Sequence, residues 1–454
     1  MSLPLKLDGF ERYMWMDDQP SHPMAFLAGV RFSGTLDPAA FRAAVAAAIG
    51  RHPLLRARIE ESPSGGRTWV DAPDPMPYLD MAPEGVPMRF PGQERIDLRT
   101  ENGLRIWVRT GPDRALVYLQ VHHTACDGVG LNQFLEDLLL AYDRQIRGDA
   151  AAPPLPPRDP QLLERRAQFG LRWWEKLLRI PVDTWGFIVG FLTFFLGRPA
   201  PIAAPDTPQL DEDQLRIVPE LLVHDFQPGQ LERLLTVARR SRATLNDLLF
   251  RDVFLALYDW NQEHAGQTRR RSLRIMLPMN LRGPHDAAMP AANVVGMVFL
   301  DRAPRWLKDP DWLLWSIRME TRFLKFFRFG VSFAWVSGAL THGPKFVQDI
   351  LRAPRCYSTC TLSNVGKTFH QVPLPRSNGK LVAGGLTMES VFGAPPVRLF
   401  TSASMVFSSY AGRLTLSMHY DRRRLTAQSA RALLDAILRQ LQQTCQQPDQ
   451  GPPK

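Results

Sequence analysis

His122-His123-Thr124-Ala125-Cys126-Asp127-Gly128 is the stretch that decides how this chain is read. Before it runs Ala115-Leu116-Val117-Tyr118-Leu119-Gln120-Val121, apolar and β-branched enough to be a buried strand. After it, from Gly130 onward, Leu131, Phe134, Leu135, Leu138, Leu139 and Tyr142 recur at helical spacing. The pattern HHxxxDG therefore sits in a strand–turn–helix. A histidine at a strand end can have one ring nitrogen fixed by backbone and the other facing a cavity. Its ordinary pKa near ~6.5 leaves it largely neutral and able to accept a proton. Asp127 falls in or near the capping region, where the helix dipole or an arginine would stabilise a carboxylate. It is expected to turn away from the cavity and hold the loop. Gly128 leaves room for backbone or ligand to approach.

Two other readings of the motif stand beside the catalytic one. Adjacent histidines ahead of a helix can be no more than a satisfied turn. A metal site is disfavoured, because neighbouring residues on a strand point to opposite faces and no HExxH or further ligand cluster completes a set. No metal is expected. Cys126 is read as facing the core rather than as a nucleophile.

Working outward, residues 25–33 read as a strand. Asp37 and Pro38 open a helix over Ala39 to Ile49 that ends at Gly50. A strand is expected around Leu54–Ile59. The proline-rich stretch Ala151 to Pro160 closes the first half. Trp185 to Leu196 is a strongly apolar run of twelve residues between Asp183 and Arg198. A membrane-spanning helix needs roughly 20 apolar residues. The run is read as a buried or half-exposed connecting helix, with a segment resting on lipid as the alternative. Farther on, strands are expected over Leu273 to Leu277, 293–300, Met405–Ser409 and Leu414–Tyr420. Helices are expected from Asn246-Asp247, over Trp312 to Phe329, and from Ala427 to about Gln443. Alternating helices and strands argue for α/β layers. The expected division is 1–160, a linker 161–216, and 217–454.

The chain has 454 residues, 45% hydrophobic and 22% charged, as ordinary globular proteins do. Four cysteines match neither a disulfide framework nor a zinc site, which points to a reducing, cytoplasmic setting. The N-terminal Met1-Ser2-Leu3-Pro4 lacks the features of a signal peptide. A net charge of +10 favours an acidic carrier protein, a cofactor phosphate or a lipid surface. The basic residues are scattered, so no nucleic-acid partner is expected.

The motif and its companions resemble the acyltransferase superfamily that includes chloramphenicol acetyltransferase, nonribosomal peptide condensation domains and wax ester synthase/diacylglycerol acyltransferases. Arg51-His52-Pro53-Leu54-Leu55-Arg56 is similar to the RHPxLR segment of those families, and Thr244-Leu245-Asn246-Asp247 to a TxND helix opening. Asn280-Leu281-Arg282 resembles NLR at a strand end, and Ser363-Asn364-Val365-Gly366 resembles SNVPGP with glycine in place of proline. Ser409-Tyr410-Ala411-Gly412 and Tyr420-Asp421-Arg422 echo a closing SYxG…DR.

The resemblance implies two chloramphenicol-acetyltransferase-like α/β lobes in a V-shaped pseudo-dimer with a central tunnel. His123 would be the general base, with His122, Asp127 and Gly128 completing the motif. Asp127 would pair with Arg282 from the other lobe. Asn246, Asp247 and Asn293 would support the site. No bound cofactor is implied. The co-substrate would be acyl-CoA or acyl-phosphopantetheine, on CoA or on an acyl carrier protein, with an alcohol or amine acceptor. The oxyanion donor would be backbone near Gly128 or the Asn293 amide. Ester formation on lipid is suggested by the 185–196 run, by the cluster Phe323, Phe326, Phe327 and Phe329, and by the positive charge. A condensation-type enzyme using a carrier-bound acyl group, or a non-catalytic binding member, are the alternatives.

Overall fold

Buried on both faces, as a near-continuous apolar run should be, the strand Arg114–His122 lies within a seven-stranded sheet. The computed structural model describes residues 3–446 apart from 64, 149, 151, 267–269, 344–348 and 350–352, and only the backbone of 189–196. In spatial order the sheet runs Arg376–Ser377, Lys380–Ala383, Leu386–Ala394, Ala25–Ser33, Arg114–His122, Leu104–Thr110 and Tyr78–Pro83. Only the last pair is parallel.

A six-stranded sheet forms the second lobe: Val295–Arg302, Leu273–Asn280, Cys360–Lys367, Ala403–Tyr410, Arg413–Tyr420 and Leu222–Asp225. Cys360–Lys367 runs parallel to both its neighbours. Each sheet backs its own apolar core. Helices Pro38–Ile49 and Gly128–Arg147 pack over the first, and Leu245–His264 and Ala427–Cys445 over the second. The α/β two-lobe expectation holds.

The expected division along the chain needs correction. Residues 376–394 come late in the sequence, yet they extend the first lobe's sheet, with Leu386–Ala394 pairing antiparallel to Ala25–Ser33. This strand also grips the second lobe, where Gly393 N donates to Ser417 Oγ at 3.2 Å. Hydrogen-bond demand explains the return. Ala25–Ser33 is an internal strand, and its second edge needs a partner. The late strand supplies it, so 217–454 is not one lobe.

Local differences have local causes. The strand expected around Leu54–Ile59 is Ala57–Glu61; Leu54 and Leu55 are fully buried in the turn before it. The helix expected over Trp312 to Phe329 is Pro310–Phe326 followed, after a 65° bend, by Phe329–Leu340. Arg328 breaks it by adopting a left-handed conformation (φ 49°). The apolar run lies in helix Ile180–Leu196. Trp185, Phe187 and Ile188 are exposed there, and the side chains of 189–196 fall outside the described residues. Among the described residues no single helix is long and apolar enough to cross a membrane.

Helix Phe329–Leu340 lies so close to strand Val295–Arg302 that a Cβ on Gly296 would collide with the Gly330 carbonyl. The obstacle is backbone and cannot swing aside. Gly296→Ala is therefore expected to cost about 1–3 kcal/mol, read as a lower urea midpoint at unchanged slope.

Candidate active site

Strand pairing sets the two histidines apart. Ala25 faces His122 in the ladder, and His123 N donates to Met24 O at 2.7 Å, one step beyond it. Because side chains alternate, the rings leave on opposite sides. His122 turns into the first lobe. It is 1% exposed, its Nδ1 accepts from Thr124 N at 3.1 Å, and its Nε2 stands 3.5 Å from Asp18 Oδ2. Asp18 also accepts from Met24 N at 2.8 Å. His122 thus helps hold the backbone that fixes His123, and it does not line the cavity.

His123 does line it. The cavity of about 290 Å³ lies between the lobes. Its ring sits edge-on to Phe26, with centroids 5.2 Å apart. Burial lowers the imidazole below its ordinary pKa of 6.5, and the Asp127 charge only partly offsets that. Burial therefore favours the neutral form of His123.

Asp127 caps the helix Gly128–Arg147 through Oδ1, which accepts from Gly130 N at 2.9 Å. Its Oδ2 accepts from Arg282 Nη1 at 2.7 Å and from Val294 N at 2.8 Å. Burial alone would raise this carboxyl; the Arg282 guanidinium and the two amides outweigh it and hold the carboxyl below the usual 3.8. Arg282 also donates to Ala292 O at 2.9 Å. Asp127 borders the cavity rather than turning away from it, but both oxygens are engaged, Oδ1 in the helix cap and Oδ2 in joining the lobes.

The RHPxLR segment has a related job. His52 is fully buried; its Nδ1 accepts from Ala291 N at 2.9 Å and its Nε2 faces Asp137 Oδ2 at 3.2 Å. It props the 291–294 loop beneath the motif. A Cβ on Gly128 would meet nothing within 4 Å, so this glycine leaves cavity space. Cys126 is buried with its thiol pushed up, as a core residue should be.

The supporting residues divide. Asn246 Oδ1 accepts from Asn364 Nδ2, and Asn364 lines the cavity. Asp247 does not reach it; that carboxylate forms a capping box with Thr244 and accepts from Thr321 Oγ1 at 2.7 Å. Asn293 is also away from the cavity, buried at 1% with neither polar side-chain atom hydrogen-bonded. Its neighbours Ala292 and Val294 are tied to Arg282 and Asp127, so the geometry does not present it as an oxyanion donor.

No protein-family model matches the chain. Over 236 residues it is 29% identical to a probable non-canonical nonribosomal peptide synthetase of Salinispora arenicola, covering 48% of this chain and 3% of that protein. An uncharacterised protein of Mycobacterium tuberculosis is 26% identical over 299 residues, 62% of this chain and 63% of its own length. The chain thus spans only part of these relatives. Among solved structures, the first condensation domain of the calcium-dependent antibiotic synthetase, in complex with a substrate analogue, superposes with a TM-score of 0.70 at 16% identity. The match covers 99% of this chain and 98% of that one. The chain has the condensation-domain fold. The starter condensation domain of rhizomide synthetase, in complex with C8-CoA and Leu-SNAC, gives a TM-score of 0.67 at 15% identity over 99% and 96% of the two chains. Polyketide synthase associated protein 5 of Mycobacterium tuberculosis gives 0.63 at 18% over 97% and 98%.

Within this condensation-domain fold the sequence reading missed several residues. Leu131, Asn132 and Leu135 line the cavity with Gly128. Their i, i+3, i+4, i+7 spacing was a usable signal for that helix face. Asp18, Phe26 and residues 391–395, the end of strand Leu386–Ala394 with the proline after it, carried no local signal. Gly130 is another: a Cβ there would stand 2.8 Å from Cys126 Sγ and 3.0 Å from Ala292 N, across the lobe contact.

Arg282→Ala leaves a buried carboxylate unpaired and is expected to cost about 3–5 kcal/mol near neutral pH. In the native chain Asp127 has a depressed pKa, so its contribution is present above 3.8 and lost as pH falls through the folded value. Without the arginine, burial raises the carboxyl instead. The deficit measured by denaturant titration should therefore be largest at neutral pH and shrink toward pH 4.

Proposed function

We propose that this chain is an acyltransferase that moves an acyl group from a thioester to a hydroxyl or amine, with His123 as general base. The observation that carries this reading is the His123 imidazole, fixed through its backbone and facing a cavity between two lobes, where burial favours its neutral form. Nδ1 is buried without a hydrogen-bond partner, so the reading gives the basic role to Nε2. His123 would take the acceptor's proton as the oxygen or nitrogen attacks the thioester carbonyl. The proton would then pass to the departing thiolate. Gly128 and Val129, at the N-terminus of the helix, offer backbone N–H groups and a positive dipole end to the developing oxyanion. The donor would be acyl-CoA or an acyl-phosphopantetheine, and the cavity's largely apolar lining, which includes Leu27, Leu131, Leu135, Val391 and Phe392, suits an acyl chain.

A hydroxyl acceptor is favoured by charge. Among the described lining residues the single carboxylate is Asp127, and Arg282 already neutralises it. A protonated amine would find no counter-ion, whereas a neutral hydroxyl needs none. The similarity to nonribosomal peptide synthetases supports the second reading, an amine acceptor with a carrier-bound donor.

His123→Ala should lower thiol release from acyl-CoA, or from acyl-pantetheine with mixed alcohols and amines, by about 10²–10⁴-fold. Equal rates with and without the imidazole would leave a binding protein as the better reading. The acid limb of kcat/KM should lie below pH 6.5, because burial lowers His123 in the free protein. Activity should be flat from pH 7.5 down to that point.

A further inference from the structure

Two helical segments far apart in sequence, the first made of two consecutive helices, expose aromatic and aliphatic side chains where a water-facing surface would carry polar ones. On Trp173–Leu178 and Ile180–Leu196 the exposed residues include Trp173 (74%), Leu178 (72%) and Trp185 (62%). On Pro310–Phe326 they are Trp312, Trp315, Met319, Phe323 and Phe326, the last 81% exposed. Those five positions recur at helical spacing and form one stripe, while Leu313, Leu314 and Ile317 fill the face turned to the core. The helix is therefore apolar on both sides, which packing against its own lobe does not explain.

The two features adjoin. Arg179 donates to the carbonyls of Phe327 (2.7 Å) and Arg328 (3.2 Å) at the turn that ends Pro310–Phe326. Gly186 packs against the Phe329 ring, and Phe323 stacks on Phe329 with centroids 5.5 Å apart. Exposed cations on or next to these helices are Arg172 and Arg198, just outside Trp173–Leu178 and Ile180–Leu196, and Arg322 and Lys325 within Pro310–Phe326. The acids beside them are engaged: Glu175 accepts from Arg172 N, and Asp183 from Arg179. Asp309 and Asp311 stand at the opposite end of the helix, where Asp309 caps its first turn.

We propose that this joined surface docks on an anionic lipid bilayer, its aromatic side chains entering the headgroup region while Arg172, Arg198, Arg322 and Lys325 meet the lipid phosphates. Aromatic residues with a basic fringe suit a bilayer interface, where ring and charge each find their own medium. The surface is separate from the His123 cavity, and the inference does not rest on the acyltransferase reading.

Co-sedimentation of the full chain with phosphatidylcholine vesicles, with and without about 30 mol% phosphatidylglycerol, tests it. Binding should be at least about tenfold stronger on the anionic vesicles and weaken as salt rises to about 0.5 M. Trp185→Ser and Phe326→Ser, one on each helix, should each weaken it about tenfold. Both side chains are exposed, so melting temperature should stay unchanged, and so should thiol release from soluble substrates. No binding to anionic vesicles, equal binding to both compositions, or unchanged binding by both variants would overturn the proposal. So would a concentration-dependent dimer that Phe326→Ser dissolves while vesicles capture nothing; the surface would then be a self-association face.

Discussion

Where the motif meets the opposite lobe, one carboxylate ties the two together. Asp127 spends one oxygen on the cap of its own helix and the other on Arg282 and the Val294 amide from the opposite lobe. A buried charge of this kind persists only with its partners in place. The position of each lobe relative to the motif is therefore tied to three hydrogen bonds.

Several otherwise unconnected sequence features act through that contact. His52 fixes the loop that supplies the Val294 amide. Gly130 lets the helix start approach Ala291 and Ala292 without a side chain between them. His122, through Asp18 and Met24, steadies the strand end from which His123 projects. None of these touches the cavity, yet each limits how far the imidazole can move. The candidate site is thus an imidazole on a stiff frame in a largely apolar space, a combination that would suit proton transfer from an uncharged acceptor.

The exposed aromatic faces obey a different logic. Burial in the core is set by each helix's inner stripe, and the outer stripe of Pro310–Phe326 is free to serve something outside the chain. Its composition differs from that of the site because it meets a different medium.

Much of the site was legible in the sequence because its signals are local. A strand, a turn and an amphipathic helix within thirty-odd residues place His123, Asp127 and Gly128 by periodicity and capping alone. The division of the two histidines between opposite faces follows from strand geometry. Other features depend on contacts between distant segments, which no local pattern encodes. The return of 386–394 into the first sheet is one, because an open strand edge does not name its partner in sequence. The seclusion of Asn293 and the turning of Asp247 to its helix cap and Thr321 are others, since a side chain's surroundings are decided by what packs over it. Sequence determined which reactive side chains the chain carries; the tertiary structure decided which of those groups face the cavity, because only packing brings remote backbone to within hydrogen-bond distance.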